Sequence, residues 1–142
     1  MTRISLEHAN TIIAAAFAEG AAKGMNPLTV VVTDAGGHII ALQRQDRSSI
    51  MRPQIALAKA SGALALGIPS RKIGDMVAER PIFVASLGSV APDGVIPAAG
   101  GVIVVDADRF PIGAVGVTGD TSDNDELCAL VGIAAAGLTA QG

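Results

Sequence analysis

The chain has no tryptophan, no tyrosine and only three phenylalanines in 142 residues. Stacking on nucleic-acid bases needs aromatic platforms in a basic groove, so a nucleic-acid partner is excluded. The formal charge of −3 argues the same way against a phosphate backbone. A single cysteine, Cys128, leaves no intrachain disulfide and no multi-thiolate zinc site. No uninterrupted apolar run approaches the roughly 18 residues that cross a bilayer, so no membrane span is expected. The opening Met-Thr-Arg-Ile-Ser-Leu-Glu-His lacks the basic-then-apolar order of a secretion signal. The default location is the cytoplasm.

What is present is an apolar half and 17 glycines, with 16% of residues charged. Such a chain builds a core without staples, from Ala, Val, Ile and Leu at close approach. No linker, repeat or low-complexity block divides it, so residues 1–142 form a single domain. Charge is uneven: residues 1–80 carry nine Lys/Arg against six Asp/Glu, and residues 81–142 carry one Arg against seven. The two parts either face each other within one fold or pack basic face to acidic face between subunits. The apolar surplus of so short a chain favours a homo-oligomer with a helix-rich interface.

Leu6, Ala9, Ile12, Ile13, Ala16 and Phe17 trace an amphipathic helix, with Ser5 as N-cap and His8 at the third helical position. Gly24 ends it. Val30 to Thr33 is a strand, Asp34-Ala35-Gly36-Gly37 a tight turn and His38 to Gln43 the return strand. Helices follow over Ile50 to Leu66 and, capped by Ser70, to about Ala78. Residues 81–90 are ambiguous between helix and strand, and Pro92 to Gly101 reads as a loop. A second hairpin runs from Val102 to Thr118, turning at Asp106 to Arg109, and Thr121 to Leu138 is the last helix. Two hairpins with helices between them imply an α+β fold with an antiparallel sheet flanked by helices.

Several residues have the chemistry of a site. Arg52, Ala56, Lys59 and Ala63 share one helix face, and two cations separated by alanines leave room for a carboxylate or phosphate. The same face is equally that of a solvated or subunit-contacting helix. Gly100-Gly101 either presents backbone N–H groups to an oxyanion or simply turns the chain into a strand. Gly116 to Gly119, with Thr118 among them, either lets a flat ligand approach or lets a helix pack closely. Asp120, Asp123, Asp125 and Glu126 cluster before the last helix, where acids suit the helix dipole and Asp123 with Glu126 has capping-box spacing. Asp125 or Glu126, working with Lys59, is the candidate for acid–base chemistry. The two histidines, His8 and His38, have no patterned partner, and no metal site is expected.

Asp34-Ala35-Gly36-Gly37-His38-Ile39-Ile40-Ala41-Leu42-Gln43-Arg44 resembles the first signature of the GlcG/HbpS-like family, as does Ala58-Lys59-Ala60 in the helix that follows. The C-terminal signature is similar too: Gly100-Gly101-Val102, then Ile112-Gly113-Ala114-Val115-Gly116-Val117-Thr118-Gly119, then Asp125-Glu126. The likeness runs from about Ile4 to Leu138. Thr118-Gly119 stands where Ser-Gly is usual, which keeps a hydroxyl, and the usual Pro after the double glycine is missing. The resemblance implies a profilin-like fold, a homo-oligomer and small-ligand binding, with haem as the named ligand because HbpS and the PduO C-terminal domain are haem-associated. No C-x-x-C-H attachment motif is present, so haem would be held reversibly by His38, His8 or Thr118.

The primary expectation is therefore a small-ligand-binding protein, with haem as candidate cofactor and an anionic ligand favoured. The alternative is a catabolic isomerase, tautomerase or hydrolase. In it Arg52 and Lys59 clamp a carboxylate, Gly100 and Gly101 steady developing charge, and Asp125 or Glu126 moves the proton.

Overall fold

In the computed structural model, which describes residues 2–142, the helix at the start runs Leu6–Ala22 (α1). Ser5 is its N-cap, as expected, and a capping box closes with His8 in the place usually held by Glu or Gln: Ser5 Oγ accepts from the His8 N–H at 3.0 Å, and His8 Nδ1 accepts from the Ser5 N–H at 3.1 Å. The chain continues through β1 (Thr29–Asp34), β2 (Ile39–Arg44), α2 (Arg52–Leu66), α3 (Ser70–Glu79) and α4 (Pro81–Leu87). It closes with β3 (Gly101–Val105), β4 (Pro111–Thr118), α5 (Ser122–Ala135) and β5 (Thr139–Ala140). Of the ambiguous residues 81–90, Pro81–Leu87 are helical, opened by Pro81 in the first turn, where a missing N–H costs little, and Gly88 to Val90 turn out of the helix.

The five strands form one antiparallel sheet in the order β2-β1-β4-β3-β5. Strand alternation sorts the layers. Val30, Val32, Val102, Val104, Val115 and Val117 face α1 and α5, where they meet Ile12, Ile13, Cys128 and Ile133. Val31 and Ala114 face Ala56 and Ala60 of α2, while Ile103 and Val105 face Ala63. The α+β fold with a helix-flanked antiparallel sheet is as the two hairpins imply.

Three local expectations are corrected. Ser70 does not cap α3: Pro69 is the N-cap, and the buried Ser70 hydroxyl accepts from the Gly101 N–H at 2.7 Å instead. Asp123 and Glu126 form no capping box, because Thr121 caps α5 through the Asn124 N–H at 3.2 Å. The last helix stops at Ala135, and Thr139–Ala140 adds an edge strand beside β3.

Candidate functional site

Four of the singled-out residues meet where α2 crosses the end of β4. Thr118 lies on the α2 side of β4, and its hydroxyl accepts from Arg52 Nη1 at 2.8 Å. Arg52 Nε donates to Ser49 Oγ at 3.1 Å. Seven residues further along α2, Lys59 donates to the Val117 carbonyl at 3.0 Å and to Asp125 Oδ2 at 3.2 Å. The other carboxylate oxygen of Asp125 accepts from the Asp120 N–H at 2.9 Å. Lys59 and Asp125 are almost entirely buried, at 3% and 1% exposure. Burial pushes the Lys59 ammonium down and the Asp125 carboxyl up, each opposed by attraction to its partner.

The face Arg52, Ala56, Lys59, Ala63 is real, but the space between its cations is filled by the sheet. Ala56 and Ala63 are fully buried against β4 and β3. The glycines make this approach feasible. A Cβ on Gly116 would overlap the Ala56 carbonyl, and one on Gly101 would overlap the Lys59 carbonyl. Gly100, with φ of +130°, leaves no room for a side chain between Val117 and Lys59. The Gly101 N–H is taken by the Ser70 hydroxyl, and both glycines admit the close approach of α2 to the sheet. Glu126 does not join Asp125. It turns outward and, with Asp123, binds the exposed Arg71. These contacts and the Lys59–Asp125 pair join the basic and acidic parts of the chain within one fold.

A second constellation lies at the end of the sheet where both hairpins turn. The two turns have one design. Asp34 Oδ1 accepts from the N–H groups of Gly36 and His38 at 2.9 and 3.0 Å, and Asp106 Oδ1 accepts from those of Asp108 and Phe110, both at 2.9 Å. Gly37 and Arg109 occupy the same left-handed position, with φ of +82° and +70°. His38 and Phe110 are therefore equivalent residues of adjacent turns, and both line a cleft of about 500 Å³. Arg3, Ala35, Pro111 and Ile112 complete its walls. The His38 ring lies over Gly36 and is 83% exposed, with Nδ1 3.4 Å from Asp34 Oδ1. The imidazole thus stands beside the Asp34 carboxylate at the mouth of the cleft, largely open to solvent.

Two further cavities flank α2. One, of about 270 Å³, shares Ala35, Gly36 and His38 with the cleft and reaches Ser61 and Asp93. The other, of about 500 Å³, is an apolar groove between Ile50, Met51, Ile55 and Ile96. Lys59, Asp125 and Thr118 line none of these three cavities.

A family model described as haem degrading protein, HbpS-like, matches residues 4–134. The chain belongs to the HbpS-like family. Solved structures agree with the HbpS-like assignment. A double mutant of Streptomyces reticuli HbpS is 27% identical over 94% of this chain and 87% of its own, with a TM-score of 0.80. The Klebsiella pneumoniae protein ORFY is 27% identical over 96% and 93% of the two chains, with a TM-score of 0.85. The PduOC:haem complex shares the fold, with a TM-score of 0.86 over 99% of this chain and all of its own, at 22% identity. No curated protein sequence matches the chain.

The HbpS-like signatures thus divide between two places. Gly100-Gly101, Gly116, Thr118 and Asp125 build the contact with α2, and Asp34 to His38 builds the cleft. His8 is in neither: its Nδ1 is engaged in the cap of α1. Arg3, Phe110 and Asp106 were not singled out from the sequence, although the repeated Asp-Ala of Asp34-Ala35 and Asp106-Ala107 marks the two matching turns.

Proposed function

We propose that the protein binds a small planar ligand, haem, in the cleft between the two hairpin turns, with His38 as the iron ligand. One observation carries the reading. His38 is an exposed imidazole, 3.4 Å from the Asp34 carboxylate, at a cleft of about 500 Å³ walled by Phe110, Pro111 and Ile112. That volume lies inside the roughly 300–1,000 Å³ range of small-molecule sites. The donor set suits haem: an imidazole for the iron, apolar faces for the macrocycle and a cation, Arg3, on the wall. Membership of the HbpS-like family and the haem complex of PduOC support the same ligand. When bound, haem supplies an iron centre for oxygen or electron chemistry. The chain itself supplies the imidazole, on a turn fixed by Asp34, and shields one side of the ligand with Phe110.

Thr118 and His8 are less suited to that role. Thr118 is 1% exposed and its hydroxyl already accepts from Arg52. The alternative of acid–base catalysis by Lys59 and Asp125 has the right groups in contact, but both lie outside the three cavities described. The reading also includes a cytoplasmic homo-oligomer. Exposed Ile50, Met51, Ile82 and Val90, at 64–85% exposure, give α2 and the α4 region apolar surface for a second copy.

Haemin titration followed by Soret absorbance tests the proposal. The wild type shifts the band, His38→Ala loses the shift, and His8→Ala and Thr118→Ala keep it. A His38→Ala protein with an unchanged spectrum overturns the assignment.

A further inference from the structure

We propose that Arg3 is the residue that selects a carboxylate-bearing ligand in this cleft. The inference rests on the haem reading above and adds to it the part of the ligand that the chain recognises by charge. Apart from His38, the charged groups on the cleft wall are Arg3, Asp34 and Asp106. Both aspartates have an oxygen tied to their own turn by two backbone N–H groups. They are fixed in place and repel an anion entering the cleft. Arg3 forms no ion pair among the described residues, and it carries five N–H donors in a fork that matches a carboxylate.

The backbone under Arg3 is anchored. Ile4 is buried against Gly113 of β4, at 5% exposure, and Ser5 is locked in the α1 cap. The cation therefore hangs from a fixed point at the cleft while its side chain remains free to meet a ligand. With Arg3 in place the cleft holds one cation against two acids. Without it the two acids stand alone, and a ligand carrying carboxylates is disfavoured relative to a neutral one of the same shape. Arg3 thus sets the choice between a porphyrin with free carboxylates and its ester. His38 holds the iron of either.

The test compares haemin with haemin dimethyl ester on the wild type, Arg3→Gln and Arg3→Lys, with affinity read from the Soret band. Arg3→Gln weakens haemin about tenfold or more and leaves the ester unchanged, while Arg3→Lys recovers part of the loss. Circular dichroism of each variant establishes that the fold is intact, as expected for an exposed side chain. If haemin binds but Arg3→Gln leaves the ratio of haemin to ester affinity unchanged, the role of Arg3 is overturned and the haem reading stands. If the wild type gives no Soret change with either compound, the haem reading falls and this inference with it.

Discussion

Lys59 and Asp125 meet at 3.2 Å inside the protein and join α2, on one face of the sheet, to the first turn of α5 on the other. Removing one partner strands the other charge in the interior, so Lys59→Met or Asp125→Asn alone is expected to cost about 3–5 kcal/mol. Replacing both restores a neutral interior. The double variant should recover much of that loss, giving a large coupling in a double-mutant cycle read from urea unfolding. Additive single losses would show that the two groups act separately.

Where the signal was local, the sequence was legible. Ser5 caps α1 as read, and His8 does there what a Glu or Gln usually does. Asp34 to His38 turns as its glycines require, and the two hairpins fix the antiparallel sheet. What periodicity could not tell is what covers a face. Arg52, Ala56, Lys59 and Ala63 do share one side of α2, but strands far along the chain fill the gap between the cations. The pairing of small residues on α2 with Gly101 and Gly116 was the available clue. Thr139–Ala140 escaped because two residues carry no alternation of their own. Asp123 and Glu126 have cap spacing, yet Thr121 starts the helix two residues earlier and Arg71 draws both acids outward. The cleft depends on two turns that are adjacent only because β1 pairs with β4, a long-range fact.

Acid sensitivity should centre on Asp120. The Asn124 side-chain amide donates to its carboxylate at 2.7 Å and the Asn26 N–H at 2.9 Å, tying the α1–β1 connection to α5. Together with the Thr121 backbone these bonds hold its carboxyl below the ordinary aspartate value, with the Asn124 bond the largest cause. A lowered folded-state value means the unfolded chain takes up the proton first as pH falls. The stabilisation is therefore complete above the ordinary value of 3.8 and is lost as pH drops through the lowered one. Asp120→Asn should be less stable at neutral pH and should show a flatter stability profile below pH 4. Parallel acid profiles for variant and wild type would assign the sensitivity elsewhere.

Two glycine substitutions separate packing from chain entropy. Gly116 sits on β4 under α2, and a Cβ there would run into the Ala56 carbonyl, which is backbone and has no free rotamer to yield. Accommodating it means pushing α2 off the sheet, which also disturbs the Arg52–Thr118 bond two residues along β4. Gly88, just after α4, has ordinary helical geometry, with φ of −60°, and nothing within 4 Å of a built Cβ. Gly116→Ala should therefore destabilise strongly, by about 3 kcal/mol or roughly the upper end of overpacking costs. Gly88→Ala should be neutral or stabilise by up to about 1 kcal/mol, because alanine narrows the unfolded ensemble without straining the fold. Thermal unfolding of the two variants beside the wild type checks both signs at once, and a tolerated Gly116→Ala would mean that α2 sits less tightly on β4 than its carbonyl contact requires.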